Sequence, residues 1–224
     1  MKSVEIIPTC VPRSLDELTA RAREISEFAP MIHIDIVDGI FAPNSTWPYT
    51  EHGVFGALDL SNISGLGAEI HLMVEEPLEI GERFAEAGAF RVIGHVEAFE
   101  DADHVHSALR TWKRNGARET GLGLLMHTPI EIIEHHLLAI DVVQLMTIAS
   151  IGRQGIPYDE GAPARVAEVH ARYPDLLLSV DGGVSEKNIA DLAHAGARRF
   201  CAGSAIAKAA DPKAAYKRLK ALAS

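Results

Sequence analysis

Two cysteines in 224 residues cannot make a disulfide framework, so stability has to come from a hydrophobic core. Cys10 and Cys201 both fall in strand-like segments and read as small, buried, reduced hydrophobes, although neighbouring first and last strands would bring the two sulfurs close. Basic charge is also short. With 21 basic against 31 acidic residues the formal net charge is −10, which argues against a nucleic-acid surface and against an anionic membrane as partner. A small solute fits that charge better. No apolar run approaches the roughly 20 residues of a membrane span, and the opening Met-Lys-Ser-Val-Glu lacks the apolar stretch of a secretory signal, so a cytoplasmic protein is expected. Also missing is a Gly-x-Gly-x-x-Gly after the first apolar run, where a dinucleotide-binding sheet would carry it.

What the chain does have is alternation. Eight short apolar runs, near residues 4–9, 31–37, 68–74, 90–96, 120–126, 141–147, 175–181 and 197–202, are separated by helical patterns. That is the signature of βα units around a parallel sheet. Eight units in one chain of this length predict a single-domain (β/α)₈ TIM barrel over residues 1–224. Ser14 with Glu17 and Thr128 with Glu131 read as capping boxes, Pro129 suits a first helical turn, and Asp211-Pro212 opens the last helix. The longest irregular stretches, about 38–52 and 148–160, each follow a strand.

In such a barrel reactive groups collect at the carboxyl ends of the strands. Strand side chains alternate, so in His33-Ile34-Asp35-Ile36-Val37-Asp38-Gly39 the imidazole and the first carboxylate share one face while Ile32, Ile34 and Ile36 share the other. A buried carboxylate is costly without a partner, and His71 and Asp181, on two further strands, are the candidates. Two imidazoles and two carboxylates make a donor set for one divalent metal ion such as zinc, iron or manganese. Each residue alone has a plainer reading, a hydrogen-bonded core histidine or a turn-forming aspartate. Asp38, beside Gly39, reads as a strand-exit residue. Gly182-Gly183 and Gly203-Ser204, after the last two strands, allow close backbone approach to an anion, which favours a phosphorylated substrate.

Taken together these segments resemble the ribulose-phosphate 3-epimerases over nearly the whole chain. The likeness is carried by residues 33–44, His71-Leu-Met73-Val, His95-Val-Glu97-Ala98, Met146-Thr147, Val180-Asp181-Gly182-Gly183 and Gly203-Ser204-Ala205-Ile206. It implies a metal on His33, Asp35, His71 and Asp181, with Asp35 and Asp181 as the acid and base, and a sugar phosphate on Gly182, Gly183, Gly203 and Ser204. The resemblance also places Thr9, where the family has a serine, and His71 against the substrate. Departures cluster in one loop. Where the family has Asn-Pro-Gly-Phe-Gly-Gly-Gln this chain reads Ile148-Ala-Ser-Ile-Gly152-Arg153-Gln154, which puts Gly152 and a new cation, Arg153, in the loop that grips phosphate. Val37 stands where a methionine lines the pocket.

The chemistry explains the residue types. Inverting the carbon beside a ketone takes a proton from one face and returns one to the other, so two acid/base groups flank it, and a cation stabilises the enediolate between. The expected activity is therefore 3-epimerisation of D-ribulose 5-phosphate to D-xylulose 5-phosphate. Alternatives are the same chemistry on a hexulose or tetrulose phosphate, or a noncatalytic phosphosugar-binding barrel. A decarboxylase barrel is disfavoured because no lysine lies between Asp35 and Asp38. A homo-oligomer is expected. His104, His106, His127, His135, His136, His170 and His194 read as surface residues, and His95 as a structural hydrogen-bonding partner near the pocket.

Overall fold

The computed structural model describes residues 4–63, 65–152 and 156–224. In chain order the strands are β1 (Glu5–Cys10), β2 (Met31–Val37), β3 (Tyr49–Glu51), β4 (Val54–Phe55), β5 (Gly67–Met73), β6 (Arg91–His95), β7 (Glu119–Leu124), β8 (Val142–Met146), β9 (Leu178–Asp181) and β10 (Arg199–Ala202). The helices are α1 (Leu15–Ser26), α2 (Pro77–Glu86), α3 (Ala102–Arg114), α4 (Ala162–Arg172), α5 (Ile189–Ala195), α6 (Ser204–Ala207) and α7 (Pro212–Leu222). Eight strands close into a parallel barrel in the order β1-β10-β9-β8-β7-β6-β5-β2, as the alternation predicts. β3, at the end of the stretch expected to be irregular, and β4, just beyond it, form a separate antiparallel hairpin.

The two faces of each strand go to different places. Ile32, Ile34 and Ile36 join the large apolar layer between barrel and helices, while His33, Asp35 and Val37 point inward. Trp112 anchors that outer layer and shows why a glycine sits inside α2. A Cβ on Gly81 would lie 2.3 Å from the indole nitrogen, which itself donates to Leu78 O at 3.0 Å. Helix starts follow their caps. Ser14 accepts from Glu17 N at 3.2 Å, with Glu17 reaching back to Arg13 N at 2.8 Å, and Asp211 accepts from Ala214 N at 2.9 Å.

The second expected capping box does not form. Residues Ile130–His136 make a 3₁₀ helix with no side-chain cap, because Thr128 is drawn to Glu97 and Glu131 to Arg172. His136 is buried rather than surface-exposed, its ring 4.7 Å from that of His106. Cys10 and Cys201 are both free and buried, but Cys10 faces the outer layer and Cys201 the barrel interior, so the wall of the barrel separates them.

The floor of the barrel is ionic. Arg91, 1% exposed, pairs with fully buried Glu69, donates to Glu119 at 2.9 Å and lies 3.7 Å from Glu5. Arg199 completes the ring by donating to Glu5 at 2.6 Å and to Glu119 at 2.7 Å. Removing one member of a buried pair strands a charge, which costs about 3–5 kcal/mol, whereas removing both is close to neutral. Arg91→Met is therefore expected to lower stability by about 3–5 kcal/mol. Combining it with Glu69→Gln should recover most of that loss in urea denaturation, and equal losses in the single and double variants would show that the pair is not the cause.

Candidate active site

Closure of the sheet assembles the site. Asp35 and His71 are register partners on adjacent β2 and β5, but Asp181 stands on β9, separated from β2 by β1 and β10 around the wall. Across the barrel the four groups meet. His33 Nε2 lies 3.2 Å from Asp35 Oδ1 and 3.9 Å from Asp181 Oδ2, and His71 Nδ1 lies 2.9 Å and 3.5 Å from the same two oxygens. A tetrahedral cation with bonds of about 2.0–2.1 Å needs ligand separations of about 3.4 Å, which these four values bracket. The donors fit a divalent metal. All four residues are buried, so the set is shielded from competing water.

Local hydrogen bonds hold these strand ends. Thr46 accepts from Val37 N at 2.8 Å and donates to Asp35 O at 2.9 Å. Asp38 plays the structural part expected of it, with Oδ1 accepting from Ile40 N and Phe41 N, and Oδ2 from Glu75 N at 2.7 Å beyond β5. On the far side Thr147 donates to Asp181 O at 3.0 Å. Gly182 and Gly183 then turn with φ of 113° and 66°, conformations that L side chains rarely adopt.

Above the carboxylates lies a cavity whose enclosed part is about 80 Å³, room for the reacting end of a small solute. Thr9, Gly152, Gly182, Gly183, Gly203 and Ser204, all expected to touch substrate, line it with Asp35 and Asp181. Arg153 lies outside the described residues. An apolar cluster of Val37, Met73, Met146, Ile148 and Ile151 forms the rest of the wall.

The sequence reading missed the groups behind the ligands. His33 Nδ1 donates to Glu69 Oε1 at 2.6 Å, tying the site to the ionic floor through Arg91. Cys201 Sγ sits 3.3 Å from the same nitrogen. Glu69 was findable, since it stands two residues before His71 on one strand, as His33 stands before Asp35. His71 Nε2 meets His95 Nε2 at 3.0 Å, and His95 Nδ1 meets Glu97 Oε2 at 3.1 Å, so His95 has the hydrogen-bonding role expected.

Electrostatics separate the two aspartates. Burial is the largest influence on both and favours the neutral acid, but His33 and His71 overcome it at Asp35, whose pKa falls well below the usual carboxylate range. At Asp181 burial wins. With the Asp35 charge adding to it and the imidazoles opposing, Asp181 is pushed up to about 6. Burial also opposes a charged His33, yet Cys201 and Asp35 outweigh it and raise its pKa well above the ordinary value. Burial pushes the Cys201 thiol up to about 12, so it stays protonated at neutral pH. A carboxylate held ionised beside one whose pKa is raised toward neutrality is the division of labour that acid/base catalysis needs.

The ribulose-phosphate 3-epimerase family model matches residues 5–207. The chain belongs to that family. It is an isomerase acting on carbohydrates, and its curated relatives align nearly end to end. The ribulose-phosphate 3-epimerase of Bacillus subtilis (strain 168) is 31% identical, covering 97% of this chain and 98% of the relative. That of Escherichia coli (strain K12) is 33% identical over 92% and 90%. Among solved structures, 3-hexulose-6-phosphate synthase from Salmonella typhimurium superposes with a TM-score of 0.70 at 15% identity, covering 98% of each chain, a likeness of fold alone.

The raised Asp181 carries a pH signature in chelator-treated protein. A carboxyl whose folded pKa exceeds its unfolded value stabilises the fold below the unfolded pKa and loses that contribution as pH rises through the folded one. For Asp181 the window runs from near 3.8 up to about 6. Asp181→Asn, which cannot ionise, is therefore expected to melt several degrees above wild type at pH 8 and close to it only near the lower end of that window, at pH 4. A melting-temperature difference that does not change between those pH values would contradict the assignment.

Proposed function

We propose that this epimerase interconverts D-ribulose 5-phosphate and D-xylulose 5-phosphate by moving a proton at C3 between Asp35 and Asp181. The observation that carries the reading is the pair of buried carboxylates from β2 and β9 that converge at the floor of a small cavity, one with its pKa lowered and the other pushed up to about 6. Oδ1 of Asp35 and Oδ2 of Asp181 face the imidazoles, which leaves Asp35 Oδ2 and Asp181 Oδ1 for the substrate. One carboxylate takes the C3 proton while the other delivers a proton to the opposite face, and the reverse reaction exchanges their roles. A divalent zinc, iron or manganese ion held by His33, Asp35, His71 and Asp181 supplies Lewis acidity toward the negative charge that develops on the substrate oxygens. His33 and His71 in turn keep Asp35 ionised, and the apolar wall keeps water from the carbanionic carbon.

In this reading Gly182, Gly183, Gly203 and Ser204 hold the phosphate, with Thr9, His71, Gly152 and Arg153 completing the substrate contacts. The same reading makes the protein a cytoplasmic homo-oligomer. No helix among the described residues is long and apolar enough to cross a membrane.

A second substrate has one observation in its favour. Ile148 packs on Gly182, where a Cβ would lie 2.8 Å from its side chain, so an aliphatic group stands beside the expected phosphate cradle. That favours testing hexulose and tetrulose phosphates beside the pentulose.

The test is exchange in deuterium oxide. Wild-type protein is expected to wash deuterium into C3 of D-ribulose 5-phosphate, and Asp35→Asn and Asp181→Asn to slow turnover by about 10²–10⁴-fold, the usual worth of a positioned acid or base. Faster exchange into another ketose phosphate would reassign the substrate. Absence of exchange into every member of the panel would leave a noncatalytic binder.

A further inference from the structure

Both nitrogens of His71 are engaged, and that fixes where every proton around it sits. Nδ1 faces Asp35 Oδ1 and Asp181 Oδ2, on the side where the four donors converge. Nε2 faces His95 Nε2 at 3.0 Å. Two imidazole nitrogens at that distance share one hydrogen, so one ring donates and the other accepts. A neutral imidazole that offers its Nδ1 lone pair to a cation carries its hydrogen on Nε2, which makes His71 the donor. His95 then accepts at Nε2 and bears its own hydrogen on Nδ1. That hydrogen points to Glu97 Oε2, 3.1 Å away. The other Glu97 oxygen accepts from Leu125 N at 2.8 Å and from the Thr128 hydroxyl. Only one direction of donation satisfies the whole string.

The path is also sterically enclosed. His95 is fully buried, the Phe41 ring lies 5.5 Å from it, and a Cβ on Gly123 would come within 3.3 Å of its Cε1 and Nε2. Gly123 is thus the gap that admits the ring. At His33 the corresponding task falls to one residue, Glu69, and at His71 an extra imidazole is interposed.

We infer that His95 and Glu97 are positioning residues for the metal centre, a two-residue relay that holds His71 with hydrogen on Nε2 and its Nδ1 lone pair aimed at the cation. The inference rests on the metal-binding part of the proposed function and makes its own prediction about affinity. Outer partners of metal-bound histidines are usually worth about 10–100-fold in affinity.

Zinc affinity of the full chain, measured by competition with a chromophoric chelator, tests it without reference to turnover. His95→Phe fills the space and removes the acceptor, and is expected to raise the zinc Kd about 10–100-fold. His95→Gln, whose amide oxygen can still accept from His71, should recover most of that loss. Glu97→Gln changes only the partly exposed end of the relay, so it reports even where His95→Phe does not fold, with an expected rise of roughly tenfold. In cobalt-loaded protein the visible bands of His95→Phe should shift from wild type, while those of His95→Gln stay. Unchanged Kd in folded His95→Phe, or in Glu97→Gln, overturns the relay and leaves the metal centre standing. A wild-type chain that takes up no zinc or cobalt overturns the metal centre and the relay together.

Discussion

Everything at the mouth of this barrel follows from the cost of placing two carboxylates where little water reaches them. Asp35 and Asp181 are each 9% exposed and share one small volume, an arrangement that is untenable without compensation. Two imidazoles supply part of it, and their geometry leaves a gap of the size a divalent cation fills. The chemistry proposed for the site uses the same instability: carboxylates forced together titrate apart, and a pair that titrates apart contains an acid and a base.

The compensation does not stop at the ligands. Behind His33 lie Glu69, Arg91, Glu119, Arg199 and Glu5, a network of alternating charge across the barrel floor. Such a floor is no better for stability than an apolar one, since desolvating five ions consumes most of their mutual attraction. Its contribution is directional. Arg91, together with His33 itself, keeps Glu69 ionised against the pull of burial, its pKa held far below the usual range, so that it accepts strongly from His33. Orientation at the top is therefore set by charge at the bottom.

The architecture was legible because its signals are local and periodic. The apolar run at 31–37 matches β2 to the residue, and the ligands could be read from it because alternation assigns each side chain to a face. Asp38 was legible too, from its place before a glycine. What escaped were pairings over long sequence distance, Glu69 with Arg91 or His71 with His95, which exist only once the sheet closes. Thr128 failed as a cap for the same reason. Its hydroxyl met Glu97, a tertiary partner stronger than the backbone amide that a local motif offers. His136 was misjudged because a polar residue on a short 3₁₀ turn carries no periodic signature of burial.

Asp38 closes the account. Its two oxygens fasten the segment leaving β2 to the segment leaving β5, and those strands carry three of the four donors. Since that fastening lies outside the cavity, the covering residues at 148–152 can change their sequence without shifting His33, Asp35 or His71. The fold thereby isolates the apparatus for proton transfer from the surface that discriminates among sugars, and mutation can explore the second while inheriting the first intact.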